Sequence, residues 1–357
     1  MTDYDAIVVV SFGGPEGPDD VLPFLENVTR GRGIPRERLE EVGAHYGLFG
    51  GISPINAQNR ALVAALEAEL ARHGPPLRVY WGNRNWHPYL ADTIREMRDD
   101  GVRRALAFVT SAYSSYSACR QYLDDIARAR ADVGADAPII DKIRQFYDHP
   151  GFVEPMARNL RAAIDSLPVE HRDHARIVFT AHSVPLSMAT SSAYVAQLLE
   201  ASRLVAERGA PELTDHGRDL DLVWQSRSGP PQVPWLEPDV GDHLDSLARG
   251  GVRAAVVVPI GFISDHMEVV YDLDTIAVPR GRDAGLAVTR AATVGTDPQF
   301  VAMIRELAVE RIDEQRPRRA LGSLGVQPDV CAAGCCPAPP SRPGTPGSGG
   351  GNGRPPV

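Results

Sequence analysis

Lysine is almost missing from this 357-residue chain. Lys142 is the only one, so arginine supplies nearly all of the 37 basic residues, set against 46 acidic ones. The net charge of -9 argues against general nucleic-acid binding, and no basic stripe or aromatic RNA-binding motif opposes that exclusion. Long apolar runs are missing too; nothing approaches the roughly 20 apolar residues of a membrane-spanning helix. The opening MTDYDAIVVVSFGGP has neither a cationic start nor a small-residue cleavage site, so it reads as a first strand and not a signal peptide. These absences predict a cytoplasmic protein without stable membrane insertion. No G-x-G-x-x-G and no G-x-x-x-x-G-K-[ST] occurs. GLFGGISP (47–54) is glycine-rich but lacks the spacing, the lysine and the downstream acid, which argues against dinucleotide or ATP use. Cysteine is scarce at four residues, and the cytoplasm gives little reason for disulfides.

What is present reads as α/β. Hydrophobic residues make up 43% and charged residues 23%, ordinary for a globular protein, and the length favours two domains over one core. Strand-like runs (AIVVVSF, LRVYWGN, RALAFVTSA) alternate with helical stretches such as NAQNRALVAALEAELARHG, which ends at Gly74 and two prolines. That alternation predicts parallel sheets flanked by helices. The second half echoes the first: IVVVSFGGP (7–15) matches IVFTAHSVP (177–185), VYWGNRNWHP (79–88) matches LVWQSRSGPP (222–231), and GVRRALAFVTSAYSSYS (101–117) matches GVRAAVVVPIGFISDHM (251–267). Three blocks in the same order predict two similar Rossmann-like domains, 1–155 and 156–327, facing each other across a cleft. Ligands of open α/β sheets bind beyond the carboxyl ends of strands, which is where these blocks end.

Two block ends carry chemistry. RIVFTAHSVP (176–185) is a buried-strand pattern that stops at His182, and GFISDHMEVVYDLD (261–274) occupies the corresponding exit of another strand. Read as a helix, Asp265, Glu268 and Asp272 fall at i, i+3 and i+7 on one face, a stacking of like charge that a cation or proton relieves. An imidazole and a carboxylate converging in a cleft can bind a divalent metal or pass protons. Taken alone, each has an ordinary alternative: a cap for Asp265, solvent for the other acids, a backbone carbonyl for His182.

FTAHSVP and PIGFISDHMEVVYDLD closely resemble two signatures of the ferrochelatase family, and SFGGP, GGISPIN (50–56) and SAYSSYSACRQY (111–122) match it in the same order. The resemblance covers about residues 5–320, and it implies two Rossmann-like domains around a porphyrin cleft, the chelatase fold. It makes His182 and Glu268 the catalytic pair and the Fe(II) site, with Asp272 and Asp265 on a proton or iron path. It places Ser53, Tyr122 and Arg30 against the porphyrin. In unrelated folds Ser53 would be a turn or cap residue, Tyr122 a helix-face core residue and Arg30 a solvated arginine. The sequence departs from many bacterial relatives at Phe12, where a tyrosine can reach the iron; a phenyl ring has no donor atom. Ile276 is apolar where relatives often carry another acid.

Insertion of Fe(II) into a porphyrin releases two pyrrole protons, and His182 can act as base or as iron ligand. The actinobacterial look of the composition and the lack of an apolar membrane-docking lip favour coproporphyrin III, which would give coproheme in haem biosynthesis. Protoporphyrin IX, another ion such as cobalt with a different tetrapyrrole, and a non-catalytic porphyrin or haem carrier are the alternatives. Some ferrochelatases hold a 2Fe-2S cluster with one internal and three C-terminal cysteines, an arrangement that Cys119, Cys331, Cys335 and Cys336 resemble. The C-x3-C-C spacing is not a standard zinc pattern. The tail carrying it, 328–357, is rich in proline, glycine and serine and is expected to be largely disordered. Porphyrin and ferrous iron are the expected partners, with a monomer favoured.

Overall fold

A computed structural model describes residues 4–214, 220–229, 232–332 and 334–338. Its strands are β1 (Ala6–Ser11), β2 (Arg78–Asn83), β3 (Arg104–Val109), β4 (Ile139–Lys142), β5 (Arg176–His182), β6 (Asp221–Gln225), β7 (Ala254–Val258) and β8 (Ala287–Arg290). They form two four-stranded parallel sheets of the same topology, β2-β1-β3-β4 and β6-β5-β7-β8. All of β1 is buried, because helices cover both faces of its sheet. Ile7 and Val9 point into the core shared with helix Ile55–His73, while Ala6, Val8 and Val10 pack against helices Leu90–Asp99 and Gln121–Val133. β5 divides in the same way, with Ile177, Phe179 and Ala181 in the shared core and Val178 on the far face.

Register tests the internal echo. Ile7 pairs with Leu106 and Ile177 with Val256, so the first and third blocks correspond residue for residue. Val8 pairs with Tyr80 and Val178 with Asp221, so Tyr80 corresponds to Asp221, two residues away from the Val223 that sequence comparison sets opposite it. A slip of two keeps every side chain on its own face, which hides it from any apolar pattern.

Helix Pro150–Asp165 includes the expected boundary at 155/156 and carries the chain from one sheet to the other. Helix Pro298–Ile312 folds back onto helices Ile55–His73 and Pro150–Asp165, and the largest apolar core contains residues from both sheets. The two halves therefore share a floor. Among the described residues no helix is long and apolar enough to cross a membrane. Of the tail 328–357, Ala333 and residues 339–357 lie outside the described residues, while Cys331, Cys335 and Cys336 lie within them.

Candidate active site

His182 is the last residue of β5, half-buried where the buried run ends. Its Nδ1 lies 3.5 Å from Oε2 of Glu268, at side-chain exposures of 31% and 43%. Nδ1 itself is buried without a hydrogen-bond partner, so the ring's exposure lies on its other atoms. The backbone behind the ring is pinned: the His182 carbonyl accepts from the Tyr194 hydroxyl at 3.0 Å, and the Ser183 N–H donates to the Gln225 carbonyl at 2.8 Å. Gln225 ends β6 opposite His182 and joins three elements. Its Oε1 accepts from Thr180 Oγ1 at 2.9 Å, and its Nε2 donates to the Glu268 carbonyl. One buried amide thus fixes the Glu268 backbone relative to the strand that carries His182. Gly261 lets the β7 exit approach β5: a Cβ there would stand 2.6 Å from Cβ of Ala181.

The acidic segment differs from a plain α-helix. His266 caps a single turn, Met267–Val269, with Nδ1 accepting from the Glu268 N–H at 3.2 Å. Burial pushes the His266 imidazole down, which suits a neutral ring used as an acceptor. The chain then widens into a π-helix over Val270–Ala277, the kind of local distortion found at functional sites. Asp265 precedes the helix, so it does not share a face with Glu268 and Asp272. Its carboxylate instead accepts from Arg290 at 3.3 and 3.4 Å and from Thr293 at 3.2 Å. The three-acid row expected from i, i+3, i+7 spacing is therefore a pair.

Asp272 accepts from the Ser226 hydroxyl, and burial, aided by the charges of Glu268 and Asp239, pushes its carboxyl up to about 7 against the bond to Ser226. Ser226 holds φ at 61°, a left-handed conformation that costs a non-glycine residue roughly 1–3 kcal/mol and tends to occur where function demands it. Tyr46, from helix Arg36–Gly47 of the other half, has its hydroxyl raised by burial and then by the charges of Glu268 and Asp272. Next to it His45 stacks on Tyr271 with centroids 4.2 Å apart, so this helix closes over the acidic segment. Ile276 is exposed.

The other wall is more varied than expected. Phe12, at the β1 exit, is 37% exposed and packs edge-on to Phe24 at 6.3 Å. Ser53 is buried against Gly14, where a Cβ would lie 2.7 Å from its own, and its N–H donates to the Pro15 carbonyl at 2.9 Å. Tyr122 lies in the core behind the first sheet, 5% exposed, with the Arg84 guanidinium 4.4 Å from its ring centroid and Arg84 ion-paired with Asp125. Arg30 is exposed, near Tyr89. The structure thus brings together His182, Glu268 and Asp272, keeps Ser53 at the first-half exits and sets Tyr122 beneath the surface. Gln225, Ser226, His266 and Tyr194 went unassigned in the sequence; the one signal was a polar Gln-Ser at the end of LVWQS.

The four cysteines are free thiols converging from two regions. Cys119 is buried in a π-helical turn, Tyr116–Arg120, and its sulfur accepts from Gln145 Nε2 at 2.8 Å. A hydrogen bond between Cys119 and Cys331 holds the Cys331 thiol below its ordinary range and the Cys119 thiol above it. Cys335 and Cys336 lie 3.5 Å apart, sulfur to sulfur. Among the described residues no group of three or more His, Cys, Asp and Glu side chains could hold a metal ion, and the sulfurs stand as two pairs.

Two like parallel sheets, with a histidine and a carboxylate meeting at neighbouring strand exits of the second, make a chelatase-like fold. SirB from Bacillus subtilis with Fe3+ shares this fold, with a TM-score of 0.54 at 14% identity over 87% of this chain and 98% of that one. The ferrochelatase family model matches residues 4–312, and the chain belongs to that family. The Streptomyces coelicolor coproporphyrin III ferrochelatase is 54% identical over 97% of this chain and 96% of its own length. The Frankia alni coproporphyrin III ferrochelatase is 56% identical over 95% and 88%.

Proposed function

We propose that this protein inserts Fe(II) into coproporphyrin III, releasing two protons and giving coproheme. The observation that carries the reading is the pair at the β5 exit, His182 Nδ1 buried 3.5 Å from Glu268 Oε2. With its Nδ1–H turned to Glu268, the imidazole presents the Nε2 lone pair on its accessible side. A pyrrole N–H then gives its proton to Nε2, and the carboxylate behind the ring stabilises the imidazolium, as a carboxylate does for a general-base histidine. Asp272, held near neutrality in its charge state, passes protons outward past Ser226. Asp265, tied to Arg290, supports the helix start and stays off this path. Ser53 and Arg30 border the porphyrin, and Tyr122 acts from below as the packing surface for Arg84. The two Rossmann-like units meet at the 155/156 boundary and work as one cytoplasmic monomer.

Two relatives over 50% identical along nearly the whole chain carry the coproporphyrin III name, which favours that ring over protoporphyrin IX. The test is an anaerobic insertion assay with both porphyrins on wild type and His182→Ala. Faster turnover of protoporphyrin IX, or of cobalt over iron, overturns the substrate; unchanged insertion by the alanine variant overturns the site. A carrier would bind porphyrin without inserting iron.

We also propose that Cys119, Cys331, Cys335 and Cys336 hold a 2Fe-2S cluster. Four thiols are the donor type such a cluster takes, and they stand as two pairs, with the Cys331 thiol held below its ordinary range by its hydrogen bond with Cys119. When bound, such a cluster adds one-electron chemistry at a place remote in sequence from the insertion pair.

A further inference from the structure

The turn that carries Glu268 is held partly from the other half of the molecule. Between the end of β7 at Val258 and the turn Met267–Val269 the chain is neither strand nor helix, and two first-half side chains hold that stretch near its ends. The buried Tyr113 hydroxyl donates to the Ile260 carbonyl at 2.7 Å, and Gln58 Oε1 accepts from the Asp265 N–H at 2.9 Å. Beyond the turn, His45 stacks on Tyr271. Glu268 is thus bracketed by first-half contacts at residues 265 and 271, while Gln225 holds its carbonyl from the second sheet. Gln58 is placed to be a fixed post. It stands half-buried near the start of helix Ile55–His73, whose Leu62, Leu66 and Leu70 lie in the core shared by both sheets. Two residues earlier the fully buried Asn56 donates to the carbonyls of Gly14 at 3.1 Å and His87 at 3.2 Å, so the same helix start also ties down the β1 and β2 exits.

We infer that Gln58 is a positioning residue for metal insertion: from the half that carries Ser53, it sets where Glu268 stands relative to His182. The inference rests on the insertion pair proposed above. The 3.5 Å between His182 Nδ1 and Glu268 Oε2 is long for a hydrogen bond, so a small shift of the turn makes or breaks the contact. Three residues separate the N–H that Gln58 holds from the carboxylate it places, and a group held on a rigid helix transmits its position better than a free loop does. Ser53 and Gln58 flank the start of one helix, so the wall that borders the ring and the acid that serves it share a support. Because the Asp265 partner is an N–H, only the acceptor oxygen of Gln58 is needed for this task.

The experiment is a double-mutant cycle on the full chain, read as the anaerobic single-turnover rate of Fe(II) insertion into coproporphyrin III at saturating porphyrin, with porphyrin affinity followed by fluorescence quenching and stability by urea unfolding. Gln58→Met keeps the length of the side chain and removes the acceptor. Its insertion rate should fall about tenfold, equivalent to about 1.4 kcal/mol of transition-state stabilisation, with porphyrin affinity unchanged. Gln58→Glu keeps an acceptor oxygen and should recover most of that loss. In a Glu268→Gln background Gln58→Met should change the rate less than about twofold, because the group that it positions no longer acts. An equal fall in both backgrounds, a Gln58→Met rate equal to that of wild type, a fall explained by weaker porphyrin binding, or no recovery in Gln58→Glu each overturns the inference and leaves the insertion pair standing. Unchanged insertion by Glu268→Gln overturns the pair and the inference with it. Where Glu268→Gln has no measurable rate, the affinity comparison and the Gln58→Glu recovery decide. Should Gln58→Met not fold, Gln58→Asn, one methylene shorter, gives the same cycle.

Discussion

Replacing Asp272 by asparagine should stabilise the fold at neutral and alkaline pH and leave it unchanged in acid. The folded carboxyl is raised from 3.8 to about 7, with burial the largest cause. Between those values the folded state binds a proton that the unfolded chain has lost, so stability falls as pH rises from about 4 to about 7. Above pH 7 the buried charge costs its full amount. At about 1.4 kcal/mol per pH unit that is about 4 kcal/mol, an upper figure because the side chain keeps partial contact with water. Asparagine is isosteric and can still accept from Ser226 through its carbonyl oxygen, so the packing survives while the charge is gone. Urea unfolding of both proteins at pH 4.5, 6, 7 and 8 gives the curve. The variant should gain roughly 1–4 kcal/mol at pH 8 and progressively less toward pH 4.5. If both proteins follow the same pH dependence, Asp272 is not strained by its surroundings. A carboxylate that destabilises its own fold is what a proton-handling site would retain.

Further outcomes follow from the same geometry. Gln225→Ala should cost roughly 1–3 kcal/mol of stability by leaving the Thr180 hydroxyl and the Glu268 carbonyl unpaired, and insertion should slow without weaker porphyrin binding; urea titration and fluorescence quenching measure the two. Gly261→Ala drives a methyl against Ala181 and should cost about 1–3 kcal/mol, seen as a lowered thermal midpoint. Arg144→Met strands Glu310, which is bound at 2.9 Å with both side chains buried. It should therefore destabilise by about 3–5 kcal/mol, whereas Arg144→Met with Glu310→Leu should recover much of the loss.

The strands and their exits were legible because burial on both faces demands continuous β-branched and apolar runs. IVVVS and RIVFTAH could be little else, and each ends in a residue that cannot continue it. The helix expected at 56–74 forms over Ile55–His73 and stops at Gly74, whose φ of 64° ends the helix cheaply. The finer site was less legible. Helical spacing put Asp265 with Glu268 and Asp272, but the helix starts two residues later, at Met267, and Arg290, 25 residues on, takes the Asp265 carboxylate. The π-helix leaves no mark in spacing, since residues such as VYDLDTIA suit either winding. Tyr122 reads the same whether it faces ligand or core, and the Arg84–Asp125 pair that covers it comes from another strand exit and from its own helix.

By itself the sequence determined a doubled parallel α/β chain with a histidine at one strand exit and carboxylates at another, because local runs and turn residues dictate strands and where they end. Tertiary structure decided which of those groups meet. Gln225 lies 43 residues from the Glu268 carbonyl that it holds, and Cys119 meets cysteines more than 200 positions away. Pairings at such separations are set by the packing of two sheets onto a shared core and by the cost of burying any polar group unpartnered.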